Sequence, residues 1–192
     1  MPLAADDFQL DHGSTVGVVG GGPAGTLFSY FLLRMASDVD LDIHLDIYEP
    51  RDYSVSGPAG CNMCGGIVSE SLVQLLATDG INLPSTVVQR GIESYVLHTD
   101  NDHVEICPNR EEMRIAALHR GSGPKGCKTG KWGSFDDFLL GLAVEQGANR
   151  LPQRVTGLQW ENGRPVICTR DSVSAPYDLV VGAVVVGQQL PQ

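Results

Sequence analysis

The sequence predicts an α/β fold with a parallel sheet and an inserted antiparallel β section. Three observations carry that prediction. A short β-branched run, Thr15–Val19, passes directly into the glycine-rich turn GGGPAG and then into an apolar stretch. A second run, Ile43–Tyr48, alternates Ile43, Leu45 and Ile47 and is closed by Pro50. Far along the chain, YDLVVGAVVVG has the unbroken apolar character of a buried parallel strand.

The elements can be justified in order. Strand, glycine turn, helix and strand over about residues 14–50 make a βαβ unit, whose crossover lays the two strands parallel. The helix is expected from Pro23 to about Ala36, with Pro23 in its first turn, where a missing N–H leaves nothing unpaired. Leu27, Phe28, Phe31, Leu32 and Met35 make most of its surface apolar, which predicts burial. A loop, SGPAGCNMCGG, leads to a second helix over roughly Val68–Ala77, ended by TDGINLP. GIESYVLHT and HVEICP read as two strands joined by a polar turn, and MRIAALHR as another strand. Together they place the inserted section at about 87–120. SFDDFLLGLAVEQGA is the clearest helix, with Ser134 as N-cap, Asp137 three residues on and Gly147 as its stop. Asp136 and Asp137 suit the positive end of that helix. RVTGLQWENGRPVICTR reads as a hairpin turning at Asn162-Gly163. A return strand follows at about 177–186, and the whole chain, 1–192, reads as one domain.

Composition narrows the function. The 192 residues are 42% hydrophobic and 19% charged, as in a globular protein, and the net charge of −10 argues against non-specific nucleic-acid binding. The opening MPLAADDFQLDHG lacks the layout of a signal peptide, and TLFSYFLLRMA is too short to cross a membrane. Five cysteines, an odd count, read as reduced thiols, so a cytoplasmic location is expected.

Gly20, Gly22 and Gly25 fit G-x-G-x-x-G after a strand and at the start of a helix, which is the Rossmann-like dinucleotide context. Gly20 allows the tight turn, Gly22 leaves room for a pyrophosphate, and Gly25 lets helix and strand pack closely. The helix N-terminus adds unpaired N–H groups and partial positive charge. Glu49, closing the second strand, is placed to hydrogen-bond an adenosine ribose, and its charge would repel a 2′-phosphate. A glycine turn that only packs helix on strand is the competing reading; motif and acidic residue together weigh against it. Both NAD and FAD remain open on these residues.

GGGPAG with YEPR resembles the opening of FAD-dependent oxidoreductases of the geranylgeranyl reductase and p-hydroxybenzoate hydroxylase kind. Three later segments agree in order: CGG after the loop, SFDDFLLGLAVEQGA against the F-D-x-x-L helix with A-x-x-x-G-A, and YDLVVGA against the D-L-V-V-G-A strand. The resemblance implies a Rossmann-like FAD-binding domain. Gly20, Gly22, Pro23, Ala24 and Gly25 would line the FAD pyrophosphate, Glu49 would take the ribose, and Arg51 would lie along the adenosine. Cys64 and Gly65 of the CGG segment would lie near the flavin ring. Arg120 substitutes for the arginine that the family places shortly before the F-D helix. Val155 would meet the adenine through its backbone. The implied reaction is hydride transfer through FAD, onto a lipid-like double bond or leading to hydroxylation of an aromatic ring, with NAD(P)H as reductant of the complete enzyme.

Other residues have competing explanations. Cys61 and Cys64 form C-x-x-C, half a zinc site or a redox pair; no second C-x-x-C follows, so no metal is expected. His119, Arg120 and Lys125 in a glycine-rich loop read either as a mobile basic loop near the ligand or as ordinary solvated chain. The resemblance breaks at Val185, where the family has glycine, and the family's later Gly-Asp segment does not follow before Gln192. The expectation is a domain incomplete at the C-terminus, truncated or frameshifted after about Ala183, that transfers hydride poorly alone. Two rivals stand beside this reading: an NAD-binding dehydrogenase domain and a catalytically inactive nucleotide-binding remnant.

Overall fold

The glycine turn and the alternating second strand build the centre of the molecule as expected. The computed structural model describes residues 9–55, 66–107, 115–118 and 133–184. Strands β1 (Ser14–Val19) and β2 (Ile43–Tyr48) flank helix α1 (Pro23–Asp38). Next come β3 (Ile67–Ser69), α2 (Glu70–Thr78), β4 (Val88–Ile92), β5 (Tyr95–His98), β6 (His103–Ile106) and β7 (Ile115–Leu118). Helix α3 (Phe135–Glu145) precedes β8 (Asn149–Leu151), β9 (Val155–Glu161), β10 (Arg164–Thr169) and β11 (Leu179–Gly182). The chain divides into two compact units, Met1–Asp52 with Leu139–Gln192, and Tyr53–Phe138.

The first unit is a parallel four-stranded sheet in the order β11-β1-β2-β8. Val16, Val18 and Ile47 have no exposed surface, and burying each contributes about 1.5–3 kcal/mol. Gly17 is the point where the β9–β10 hairpin meets the sheet: a Cβ there would lie 2.7 Å from Ile167 Cδ1 and 3.1 Å from the Tyr177 ring. The hairpin turns at Asn162 (φ 50°) and Gly163 (φ 80°), the left-handed pair that a two-residue turn requires.

Helix α1 packs on β1 and β2, but not by the face that its large residues predict. Its buried residues are Gly25, Thr26, Ser29, Leu33 and Ala36, whereas Met35 is 66% exposed. Small side chains let the helix axis come close to the sheet, and the bulky residues are left at the flanks. All three helices end alike. Leu41 N donates to Ala36 O and Asp40 N to Ser37 O; Ile81 N to Leu76 O and Gly80 N to Ala77 O; Ala148 N to Ala143 O and Gly147 N to Val144 O. These are Schellman caps with Asp40, Gly80 and Gly147 at positive φ.

In the second unit β3, β7 and β4 form an antiparallel sheet, and β5 pairs with β6. Three expectations change, two of them in this unit and one, β8, in the first. Val68 lies in β3, and α2 begins at Glu70 because Ser69 pairs with Ile115 and also caps the helix, accepting from Leu72 N at 3.3 Å. Gly91 and Ile92 belong to β4, separate from β5. Strand β8 was not expected at all. The return strand is the short segment Leu179–Gly182, inside the wider span expected for it.

Beneath the hairpin a polar chain runs from the buried Tyr48–Tyr177 pair out to the exposed Asn149. Tyr177 Oη donates to Asp46 Oδ2 at 2.6 Å, so the 2.8 Å contact between the two phenols must be a bond donated by Tyr48. Asn149 Nδ2 donates to Asp46 Oδ1 at 2.7 Å. Burial pushes both phenols above their ordinary value, and the Asp46 charge adds to the effect. A raised folded-state pKa means stability that is complete below about pH 10 and lost as the pH rises further. Tyr177→Phe is therefore expected to lose about 1–2 kcal/mol at neutral pH, since Tyr48 loses its acceptor. Its stability should also fall less steeply above pH 10 than that of the parent. Urea denaturation at pH 7 and pH 10.5 checks both; equal slopes at the higher pH would overturn the assignment.

Candidate functional site

The site lies at the carboxyl ends of the parallel strands. Residue pairing continues past the strands themselves: Gly20 N donates to Tyr48 O at 3.0 Å, Ala183 N to Val19 O at 2.8 Å, and Glu49 N to Leu151 O at 3.0 Å. The glycine turn is thus held between the ends of β2 and β11. The chain leaves β1 for β2 on one side, and β11 lies on the other. That reversal of strand order is where open parallel sheets present a ligand crevice.

Each glycine has a distinct reason. Gly20 has φ +107°, and a Cβ there would run into the Ala183 carbonyl. A Cβ on Gly25 would collide with the Gly20 carbonyl oxygen, so the first helical turn can close over the loop only with glycine. Gly21, not singled out from the sequence, would place a Cβ 2.6 Å from Glu49 Cβ. Gly22 is different: its φ of −73° and ψ of −179° suit any residue. Glycine is therefore not demanded there by the backbone conformation. Pro23 opens α1 with no side-chain cap and no acidic residue in the first turn; the Glu49 carboxylate sits instead on Gly21 N, just ahead of the helix. Thr26 N and Thr26 Oγ1 both donate to Gly22 O, and Ser29 Oγ donates to Gly25 O at 2.7 Å.

Glu49 does more than the spacing argument gives it. The side chain is 6% exposed. Its Oε2 accepts from Gly21 N at 2.9 Å and its Oε1 from Arg51 N at 2.8 Å. The acidic residue therefore bolts the glycine turn to the end of β2. A carboxylate accepts about four hydrogen bonds, so this bridge is compatible with ribose hydroxyls as further donors.

Gly20, Gly22, Pro23, Ala24, Gly25, Glu49 and Arg51 come together at this edge. Val155 is the first residue of β9, opposite Thr169, and packs against the buried cluster of Val19, Tyr48, Ile167 and Tyr177. Its side chain is thus used in packing. Cys64, Gly65 and Arg120 lie outside the described residues, as do Cys61, Cys127 and Val185. Among the described residues Cys107 is exposed and Cys168 buried, both unbridged. One residue the sequence reading passed over is Arg150, whose Nη2 donates to Arg51 O at 2.7 Å. An arginine in NRL carries no motif, and only the pairing of β8 with β2 reveals it.

The donor set fits a dinucleotide: a glycine cradle, a helix N-terminus with no side-chain cap and a carboxylate fixed at the end of the second strand. The fold is the mixed α/β fold of flavin-dependent halogenases. Structures of the halogenase PltM match it. The one with ethyl mercury and mercury gives a TM-score of 0.60 and 15% identity, covering 91% of this chain and 35% of that one. The one with phloroglucinol and FAD gives 0.58 and 15%, again covering 91% and 35%. The flavin-dependent brominase Bmp2 gives 0.59 and 16%, covering 90% and 38%. The chain therefore spans somewhat more than a third of the length of these structures. No family model matches the sequence, and no curated protein matches it. Among the described residues no helix is long and apolar enough to cross a membrane.

Proposed function

We propose that this chain is the FAD-binding part of a flavin-dependent oxidoreductase, and that the whole of it serves as one nucleotide-binding domain. The observation that carries the reading is the Glu49 bridge, which fixes the glycine turn and presents a carboxylate where a dinucleotide's ribose would lie. FAD is favoured over NAD because the fold is shared with a halogenase solved with FAD. The resemblance of GGGPAG, YEPR and YDLVVGA to the geranylgeranyl reductase and p-hydroxybenzoate hydroxylase kind points the same way. The flavin, when bound, supplies hydride transfer.

This chain's own residues bind and orient. Backbone N–H groups at the start of α1 would face the pyrophosphate, with Gly22 leaving it room. Glu49 would accept from the ribose hydroxyls and repel a 2′-phosphate, while Arg51 and the Val155 backbone would flank the adenosine. Cys64, Gly65 and Arg120 are proposed for the flavin side and phosphates. NAD(P)H is the proposed reductant of the complete enzyme.

The test is the visible absorption spectrum of the purified chain, titrated with FAD. A saturable shift of the flavin band is expected. A folded protein that leaves the FAD spectrum unchanged, yet is stabilised against heat by NAD, would overturn the proposal in favour of an NAD-binding domain. A protein stabilised by neither would favour an inactive remnant.

A further inference from the structure

We propose that Arg150 is a positioning residue for the adenosine end of this site, acting on Glu49 through the Arg51 peptide. The inference rests on the dinucleotide reading above and names a residue that the glycine motif does not contain. Four bonds link it to the turn. Arg150 Nη2 donates to Arg51 O at 2.7 Å, and Arg51 N donates to Glu49 Oε1 at 2.8 Å. Glu49 Oε2 accepts from Gly21 N at 2.9 Å, and Glu49 N donates to Leu151 O at 3.0 Å. The end of β8 is thereby connected to the glycine turn through the carboxylate that would receive the ribose.

The chemistry of Arg150 marks it as more than filler. Its Nε is buried and has no hydrogen-bond partner among the described residues. A buried unpaired donor on a charged group is costly, and an apolar side chain of similar volume would serve packing alone as well or better. The gain that offsets the cost is the hold on the Arg51 carbonyl. That peptide sits one residue beyond Pro50, which has no N–H of its own to anchor the turn. With the Arg51 carbonyl held, its N–H stays on Oε1, the Glu49 carboxylate keeps one orientation, and Gly21 keeps its acceptor. With the hold removed, all three loosen together.

The test uses the full chain and Arg150→Met, which keeps the length of the stem and removes the donors. Without any ligand, amide hydrogen exchange at Gly21 and Arg51 is expected to speed up about tenfold, the scale of one lost charge-assisted bond, with Val18 unchanged. The second readout is affinity for ADP against 2′-deoxy-ADP. The parent should prefer ADP, and the variant should lose ADP affinity about tenfold while its weaker affinity for 2′-deoxy-ADP scarcely moves. Unchanged exchange at Gly21 and Arg51 overturns the proposal, and so does equal loss for both nucleotides, which would mark a general structural role. A parent that binds neither nucleotide, with the exchange effect present, overturns the dinucleotide reading and with it the ligand role, while leaving the bond network intact. If Arg150→Met does not fold, Arg150→Gln, with a shorter polar side chain, takes its place with the same expected outcomes.

Discussion

Glu49→Ala is expected to lose about 2–4 kcal/mol of stability and all measurable dinucleotide binding, because a buried and a part-buried backbone donor lose their acceptor at once. The Gly21 and Arg51 N–H groups both point at this carboxylate, at 2.9 and 2.8 Å, in a site where Glu49 is 6% exposed. Each unpaired buried donor costs about 1–3 kcal/mol, and water can repair only part of that. Glu49→Gln should fall between the two: its amide oxygen keeps one bond, while its NH2 faces a donor that it cannot satisfy. Urea denaturation reads the stability and quenching of flavin fluorescence reads the binding. Parent-like stability in Glu49→Ala would show that the bridge does not support the turn. A clear stability loss with undiminished FAD affinity in the folded protein would remove Glu49 from the ribose.

The second large effect is at Gly25. Its Cβ would collide with the Gly20 carbonyl oxygen and approach Ala183 Cβ at 3.1 Å. Backbone cannot turn aside as a flexible side chain can, so the helix start and the loop would have to separate. Gly25→Ala is expected to lose about 3 kcal/mol or more, at the upper end of overpacking effects. Gly141→Ala is the matched control: it lies in α3 with nothing within 4 Å of the added Cβ. There the better helix propensity should stabilise by about 0.5–1 kcal/mol. Thermal denaturation of the pair is the measurement. If both changes are neutral, the tight closure of α1 over its loop is not what holds this edge.

What the sequence revealed, it revealed through local chemistry. The turn at Gly20–Gly25, the alternation of Ile43, Leu45 and Ile47, the stop at Gly147 and the Asn162-Gly163 turn are each decided within a few residues. What it concealed depends on partners far along the chain. Strand β8 has only Asn149, Arg150 and Leu151, with no apolar run, and exists because the free edge of β2 accepts it. The buried face of α1 was misjudged because Gly25, Ser29 and Ala36 gain their importance from nearness to the sheet, not from hydrophobicity. Val68 read as helix because nothing local announces that it pairs with Ala116. Glu49 stands out in the sequence by its position at the end of the second strand, but its bonds to Gly21 and Arg51 follow from the folded path of two loops.

The pairing of β1 with β11 has a consequence for synthesis. Thr15 bonds to Asp178, 163 residues later, and Val16–Val19 align with Leu179–Gly182. On a ribosome adding 5–20 residues per second, one edge of β1 therefore waits roughly 10–30 s for its partner. During that interval the nascent βαβ segment exposes an unpaired apolar strand. Chaperone demand and aggregation should accordingly depend on translation speed between β1 and β11 as well as on the stability of the folded sheet.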